Sequence, residues 1–233
     1  MRCLGLYWYG SIHVFKEKKV MHISEGVLSA EYVVGGYVAA TALTAVALKK
    51  LKKEDIPKVS VMGAAFFVSS LIHFKIGPTS VHLTLIGLTG IVLGAPSILA
   101  VLTGLFFQAV MFQHGGLTTL GVNTVTMGCS ALAVYYAFSQ VRAKLAGKKT
   151  LLAAAGGVFS GLGILLATLM VAALLALSSE AFTGMAVFFS ISQGILAIVE
   201  GVISFLVIQQ LLRIKPELIL GKSPPLTRLH DDR

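Results

Sequence analysis

The chain has 233 residues, 56% of them hydrophobic and 12% charged, with a formal net charge of +9. A soluble domain carries about a quarter charged residues, so this composition, with its long apolar runs, excludes a soluble globular protein and indicates a polytopic membrane protein. The positive balance does not imply nucleic acid, because the basic residues sit in short clusters between apolar stretches, as orienting loops do.

Residues 1–20 fit no element. Their apolar part is too short and interrupted to span a bilayer, and they lack the long apolar region and small-residue cleavage site of a secretory signal. A first helix is predicted from about Glu31 to Leu48, followed by Lys49, Lys50, Lys52 and Lys53. A second covers roughly Val59 to Phe74, and the loop Ile76-Gly77-Pro78-Thr79-Ser80 leads to a third from Val81 to Gly94. Ala95-Pro96 breaks the chain, since proline disfavours helix in the residue before it. A fourth helix runs from Ser97 to Phe112, and the polar stretch His114 to Gly121 precedes a fifth from Val122 to Val141. Leu151 to Leu177 and Met185 to Leu212 supply the sixth and seventh, and residues 216–233 read as a cytoplasmic polar tail. The fold class expected is therefore all-α: a membrane helix bundle of about seven transmembrane helices.

Seven spans sort the basic residues. One face collects Lys49, Lys50, Lys52, Lys53, Lys58, Arg142, Lys144, Lys148, Lys149, Arg213, Lys215, Lys222, Arg228 and Arg233, and the other loops hold only Lys75. This positive-inside bias puts the C-terminus in the cytoplasm and the start of the first helix outside. Arg2, Lys16, Lys18 and Lys19 fall on the wrong side. Lys and Glu codons are purine-rich, so Lys16-Glu17-Lys18-Lys19 before Met21 reads as a ribosome-binding site translated as protein. The expectation is a misassigned start, with residues 1–20 a non-functional leader and Met21 the first residue.

The same topology gathers His22, Ser24, Glu25, His73, His82, His114, Thr118, Thr119 and Asn123 at the outer face. A histidine at a helix end is ordinarily a plain polar contact. Several histidines beside a free amine are different. The amine of Met21, the amide nitrogen of His22 and its imidazole can close two fused chelate rings, and one further imidazole completes four nitrogens. That set suits Ni²⁺ or Cu²⁺ in a plane, and imidazole also suits Co²⁺ and Zn²⁺.

Three ordered motifs then carry a resemblance: Met21-His22-Ile23-Ser24-Glu25-Gly26, Gly77-Pro78-Thr79-Ser80-Val81-His82-Leu83, and Gly115-Gly116-Leu117-Thr118-Thr119-Leu120-Gly121-Val122-Asn123-Thr124. Over residues 21–215 the chain resembles the CbiM/NikM family, the substrate-binding membrane subunits of energy-coupling-factor (ECF) importers for cobalt and nickel. The resemblance implies a seven-helix metal-binding domain whose amino-terminal loop tucks into the bundle from outside. It also implies that Met21, His22 and His82 are the metal ligands. His73 lies outside the matching motif and is an alternative ligand, as are Ser24, Glu25 and His114, while Thr119 and Asn123 orient the loop by hydrogen bonds.

The cargo so implied is Ni²⁺ or Co²⁺, with no catalytic cofactor. The partners are a membrane coupling (T) subunit, cytoplasmic ATPase subunits and a small accessory membrane subunit, in the plasma membrane of a prokaryote. No enzyme activity is expected, since the chain has no G-x-x-x-x-G-K-[ST] phosphate loop and no H-E-x-x-H. The rival is a stand-alone secondary metal transporter or channel, a class that places polar ligands near the midplane. Glu200, inside the seventh helix, is the one buried acid expected there; a proton path or polar anchor is its functional reading, and a protonated carboxyl hydrogen-bonded within the bundle is the favoured one.

Overall fold

In the computed structural model, which describes residue 23 and residues 25–76, 79–178 and 183–221, the apolar runs form a helical bundle. The helices are α1 (Ala30–Lys50), α2 (Ile56–Ser69), α3 (Ile86–Leu93), α4 (Ser97–Phe112), α5 (Leu120–Leu145), α6 (Lys149–Ser178), α7 (Thr183–Ile214) and a short α8 (Glu217–Leu220). A 3-10 turn at Lys53–Asp55 and a proline in the first turn start α2.

Among the described residues, three helices are long and apolar enough to cross a membrane: α1, α6 and the Ser190–Ile214 part of α7. The chain is thus a membrane protein, but the helices are less uniform than seven like spans. α2 and α4, with 14 and 16 residues, reach only about 21 and 24 Å at 1.5 Å per residue, short of a hydrocarbon core about 30 Å thick. α3 has 8 residues. α5, with 26 residues, is long enough, yet it buries Asn123, Thr124, Thr126 and Ser130. These polar residues are buried in the protein, where Asn123, Thr126 and Ser130 find hydrogen-bond partners.

Residues 70–85 correct the sequence reading. The second helix stops at Ser69, well short of Phe74, and the third begins at Ile86 instead of Val81. Between them lies an antiparallel hairpin, β1 (His73–Ile76) with β2 (Thr79–His82), pairing His73 with His82 and Phe74 with Val81. The all-α expectation therefore misses one small sheet. Phe, Ile, Thr and Val favour strands, and Gly77-Pro78 cannot continue a helix. The C-terminal segment also differs from a plain tail at its start. Pro216 caps α8, Ile219 is fully buried, and the Arg142 guanidinium donates to the Ile219 carbonyl at 3.4 Å.

Close approach shapes the packing. A Cβ on Gly121 would lie 2.6 Å from the Tyr37 backbone nitrogen, so only glycine lets α1 cross α5 there. The inner core comprises Phe66, Val81, Leu83, Ile86, Val101, Leu105, Met127, Ala131, Ile164 and Leu196, while Phe138, Leu152, Ile208, Leu212 and Ile219 pack the opposite half. Ile23, residues 25–29, the hairpin, the α4–α5 loop and the end of α6 share one end of the bundle. Lys49, Lys50, Arg142, Arg213 and Lys215 stand at or near the ends of α1, α5 and α7 at the other.

Candidate metal site

The segment leading into α1 is fastened by the first turn of α5. Ile23 buries its side chain against Val122, Val171 and Leu175. Its N–H donates to Asn123 Oδ1 at 3.1 Å, and its carbonyl accepts from Thr119 Oγ1 at 2.7 Å and Asn123 Nδ2 at 3.2 Å. One asparagine therefore satisfies both backbone groups of one residue, and its amide also donates to Thr119 Oγ1 at 3.3 Å. Thr119 and Asn123 are one helical turn apart, so both reach the same strand of backbone. Both are buried, where unmade hydrogen bonds would be costly.

Glu25 continues the seam. Its N–H donates to the Gly115 carbonyl at 3.1 Å, and its carboxylate accepts from the Thr118 N–H at 3.3 Å. Gly116 has φ +131° and a Cβ there would strike the Glu25 side chain, so glycine is required for conformation and for space. The geometry gives Glu25 a loop-to-loop contact. Met21, His22 and Ser24 lie outside the described residues, as do His13 and His230.

Three histidines meet beside this seam. His73 and His82 are cross-strand partners in the hairpin, with ring centres 5.5 Å apart. His114 follows α4, where Gln113 has φ +54° and turns the chain back on itself, and the His114 N–H donates to the Gln108 carbonyl at 3.2 Å. Its ring centre is 5.1 Å from that of His73 and 5.7 Å from that of His82. His82 and His114 are buried and His73 is exposed. Nδ1 of His82 is 3.1 Å from the Leu83 carbonyl, and Nδ1 of His73 is 2.9 Å from that of Leu71. A ring whose Nδ1–H donates to a carbonyl carries its lone pair on Nε2.

His82 is held from below as well. Beyond β2 the chain runs through Thr84 to Leu85, whose φ of +54° starts α3 in a left-handed conformation. Glu200 of α7, fully buried, accepts hydrogen bonds from the Thr84 N–H, from the Thr84 hydroxyl at 2.9 Å and from the Leu85 N–H at 3.0 Å. The sequence flagged Glu200 for its depth but gave no partner. Beside Thr84 and Asn123 is a cavity of about 30 Å³, also lined by Thr126, Thr168 and Gln193, with room for about one water.

The family model "Cobalt uptake substrate-specific transmembrane region" (CbiM) matches residues 22–218. The chain belongs to the CbiM family. Among its relatives, a "Putative cobalt transport protein CbiM" of Methanococcus voltae is 33% identical, covering 85% of this chain and 94% of the relative. A "Cobalt transport protein CbiM" of Acetohalobium arabaticum is 32% identical over 90% of this chain and 89% of its own length. A "Putative metal transport protein" of Haemophilus influenzae is 40% identical over 61% and 70% respectively. Among solved structures, one described as the crystal structure of a transition metal transporter superposes with a TM-score of 0.72 at 25% identity, covering 86% of this chain and 96% of that one. A truncated transition metal transporter gives 0.71, covering 83% and 99%. This CbiM-family chain is a metal-transport membrane protein, and the end of the bundle that carries Asn123, Thr119 and His82 is its candidate site.

Proposed function

We propose that this chain is the substrate-binding membrane subunit of an ATP-driven importer of the ECF class, and that it captures Ni²⁺ or Co²⁺ on the extracytoplasmic side of a prokaryotic plasma membrane. The observation that carries the reading is the clamp on Ile23. The residue directly after His22 has both backbone groups bound by Thr119 and Asn123, at the end of the bundle that holds the buried His82. A chain beginning at Met21 would supply an amine, an amide nitrogen and an imidazole within two residues of that clamp, and His82 the fourth nitrogen. Four nitrogens in a plane suit Ni²⁺, and Co²⁺ takes the same donors.

The basic residues at the opposite end of the bundle support an orientation with that end in the cytoplasm. ATP would be hydrolysed by partner ATPase subunits, coupled through a membrane T subunit, with a small accessory membrane subunit as a further partner. This chain itself performs no catalysis in that scheme. The metal would serve cobalamin synthesis or a nickel enzyme.

The test is Ni²⁺ and Co²⁺ binding by chain made from Met21, against the same chain with one residue added before Met21. Stoichiometric binding that disappears on extension supports the reading, and equal binding by both removes the amine from the site. Uptake assays decide the class. Accumulation only with ATPase subunits present fits the importer, whereas accumulation by this chain alone would favour a secondary transporter.

A further inference from the structure

We propose that the bundle carries a wedge-shaped apolar belt, whose α1–α2 side draws the bilayer in and holds anionic phospholipid headgroups on Lys49, Lys50, Lys52 and Lys53. The partner is a lipid surface, and the inference stands apart from the metal reading.

The belt is level at one rim. The approach to α1, the start of α5 and the end of α6 pack together there through Leu28, Val33, Val122, Leu174 and Leu175. At the opposite rim the helices stop at two levels. α1 meets α5 where Gly36 and Tyr37 face Gly121 and Val122. Both helices run on from that point, so Leu48 reaches only the level of Val134, about 17 Å further along at 1.5 Å per residue. The α3–α4 turn stops at the same depth, since a Cβ on Gly94 would lie 3.1 Å from the Tyr135 ring. α2 packs near the start of α4 through Gly63 and Ala100. The long helices continue past this level. Gly163 of α6 packs on Val134, and from Gly163 back to Leu151 is about 18 Å more.

Exposed apolar side chains follow the same step. On α1 they run from Val34 to Leu48, about 21 Å, and on α6 from Leu151 to Leu177, about 39 Å. A hydrocarbon core about 30 Å thick fits neither. Tilting the molecule cannot remove the mismatch, because one rim is already level. A span that is too short is accommodated by thinning of the bilayer, by snorkelling of its flanking residues or by association with another protein.

The residues that follow α1 favour the first two. Lys49, Lys50, Lys52 and Lys53 are all exposed and come directly at the end of the short span. Their flexible stems lie along apolar surface while the ammonium groups reach for polar partners. Four or more cations immediately outside a membrane helix form an anionic-lipid pattern. Lys58 is different, because Asp55 holds it at 2.8 Å. In a flat bilayer that keeps Leu151 in hydrocarbon, the four lysines would stand inside the apolar core, where a cation is costly. Headgroups drawn in to their level remove that cost.

The test uses the full 233-residue chain in phosphatidylcholine vesicles. Trp8→Phe removes the single tryptophan, and Leu48→Trp or Leu151→Trp, both at exposed positions, supplies a reporter. Phosphatidylcholines brominated at known depths quench each reporter in turn. The expected result is one depth for both, close to the headgroups, although the fold sets them about 18 Å apart. Leu48→Trp reading deeper than Leu151→Trp by about 10 Å or more would overturn the wedge and leave a protein partner to cover this face.

Brominated phosphatidylglycerol then tests the headgroup. At Leu48→Trp it should associate at least about fivefold more tightly than the phosphatidylcholine, the size of one lysine's attraction to an anionic surface. Added salt should weaken that preference. Lys49→Gln, Lys50→Gln, Lys52→Gln and Lys53→Gln together should abolish it, whereas arginine at the same four positions should keep it. Equal quenching by the two lipids with all four lysines in place would overturn the headgroup site. So would a preference that survives the four glutamines in a chain with unchanged thermal unfolding.

Discussion

Glu200 in α7 and Thr84 beside the hairpin are joined by two hydrogen bonds, one to the Thr84 backbone N–H and one to its hydroxyl. The carboxylate takes a third from Leu85, so the longest helix of the bundle grips the backbone two residues beyond His82. Glu200→Ala strips acceptors from two N–H groups in the bundle interior, each costing about 1–3 kcal/mol when left unmade. Glu200→Gln keeps one oxygen and should fall between parent and alanine. The expected outcome is a lower thermal midpoint in detergent for Glu200→Ala and metal affinity at least about fivefold weaker. Thr84→Val, which removes only the hydroxyl bond, should lose about 1 kcal/mol. An alanine variant with parent stability and affinity would show that the contact is dispensable.

Asn123 makes a sharper prediction because it serves one residue with both ends of its amide. Asn123→Ala leaves the Ile23 N–H without that partner in a buried setting, at a cost of about 1–3 kcal/mol. If the metal needs the Ile23 segment ordered, that cost appears as roughly a tenfold or greater loss of Ni²⁺ or Co²⁺ affinity at 1.4 kcal/mol per decade. Thr119→Val removes one of two donors to the Ile23 carbonyl and should lose less. Calorimetric titration ranks the three proteins. Equal affinities would detach the clamp from metal binding.

Acid should release the metal. Amine and imidazole ligands bind deprotonated, so protons compete with the ion and affinity falls as pH drops. For chain made from Met21, the expected Ni²⁺ affinity rises with pH as the imidazole and amine ligands lose their protons. Measuring Kd between acid and mildly alkaline pH checks this. A flat profile would exclude nitrogen ligands that titrate in that range.

The helices could be read from the sequence where burial is plain, and less well where the chain changes its partner. Apolar runs at Ser97–Phe112 and the sixth segment fell close to α4 and α6, because a long hydrophobic run has few ways to satisfy its backbone in lipid except as helix. Residues 70–85 defeated the same logic. Ile72 and Phe74 look like the end of one apolar helix and Val81 like the start of another, but Phe74 and Val81 pair across a hairpin and the Ile72 carbonyl accepts from the Leu83 N–H. That pairing set His73 against His82, which no spacing rule for a helix would have done. Thr119 and Asn123 were singled out only as members of the third motif of the family resemblance, and their shared grip on Ile23 came from the fold. The partners of Glu200 were not legible, since Thr84 lies 116 residues away and only the packed bundle brings them together.

The crossing of α1 and α5 offers a last, paired prediction. Gly121 lies in the same turn of α5 as Thr119 and Asn123, and a Cβ there would meet the backbone of Gly36 and Tyr37. Neither can retreat without moving α1. Gly121→Ala should therefore overpack the crossing at about 1–3 kcal/mol, pull the start of α5 away from Ile23, and weaken metal binding together with stability. Gly194 in α7 is the control, because a Cβ there meets nothing within 4 Å. Removing that glycine from a helix interior should stabilise by up to about 1 kcal/mol and leave the metal affinity unchanged. Thermal unfolding and Ni²⁺ titration of the two variants side by side make the comparison. Equal shifts in both would mean that helix propensity alone, and not the α1–α5 contact, sets the effect.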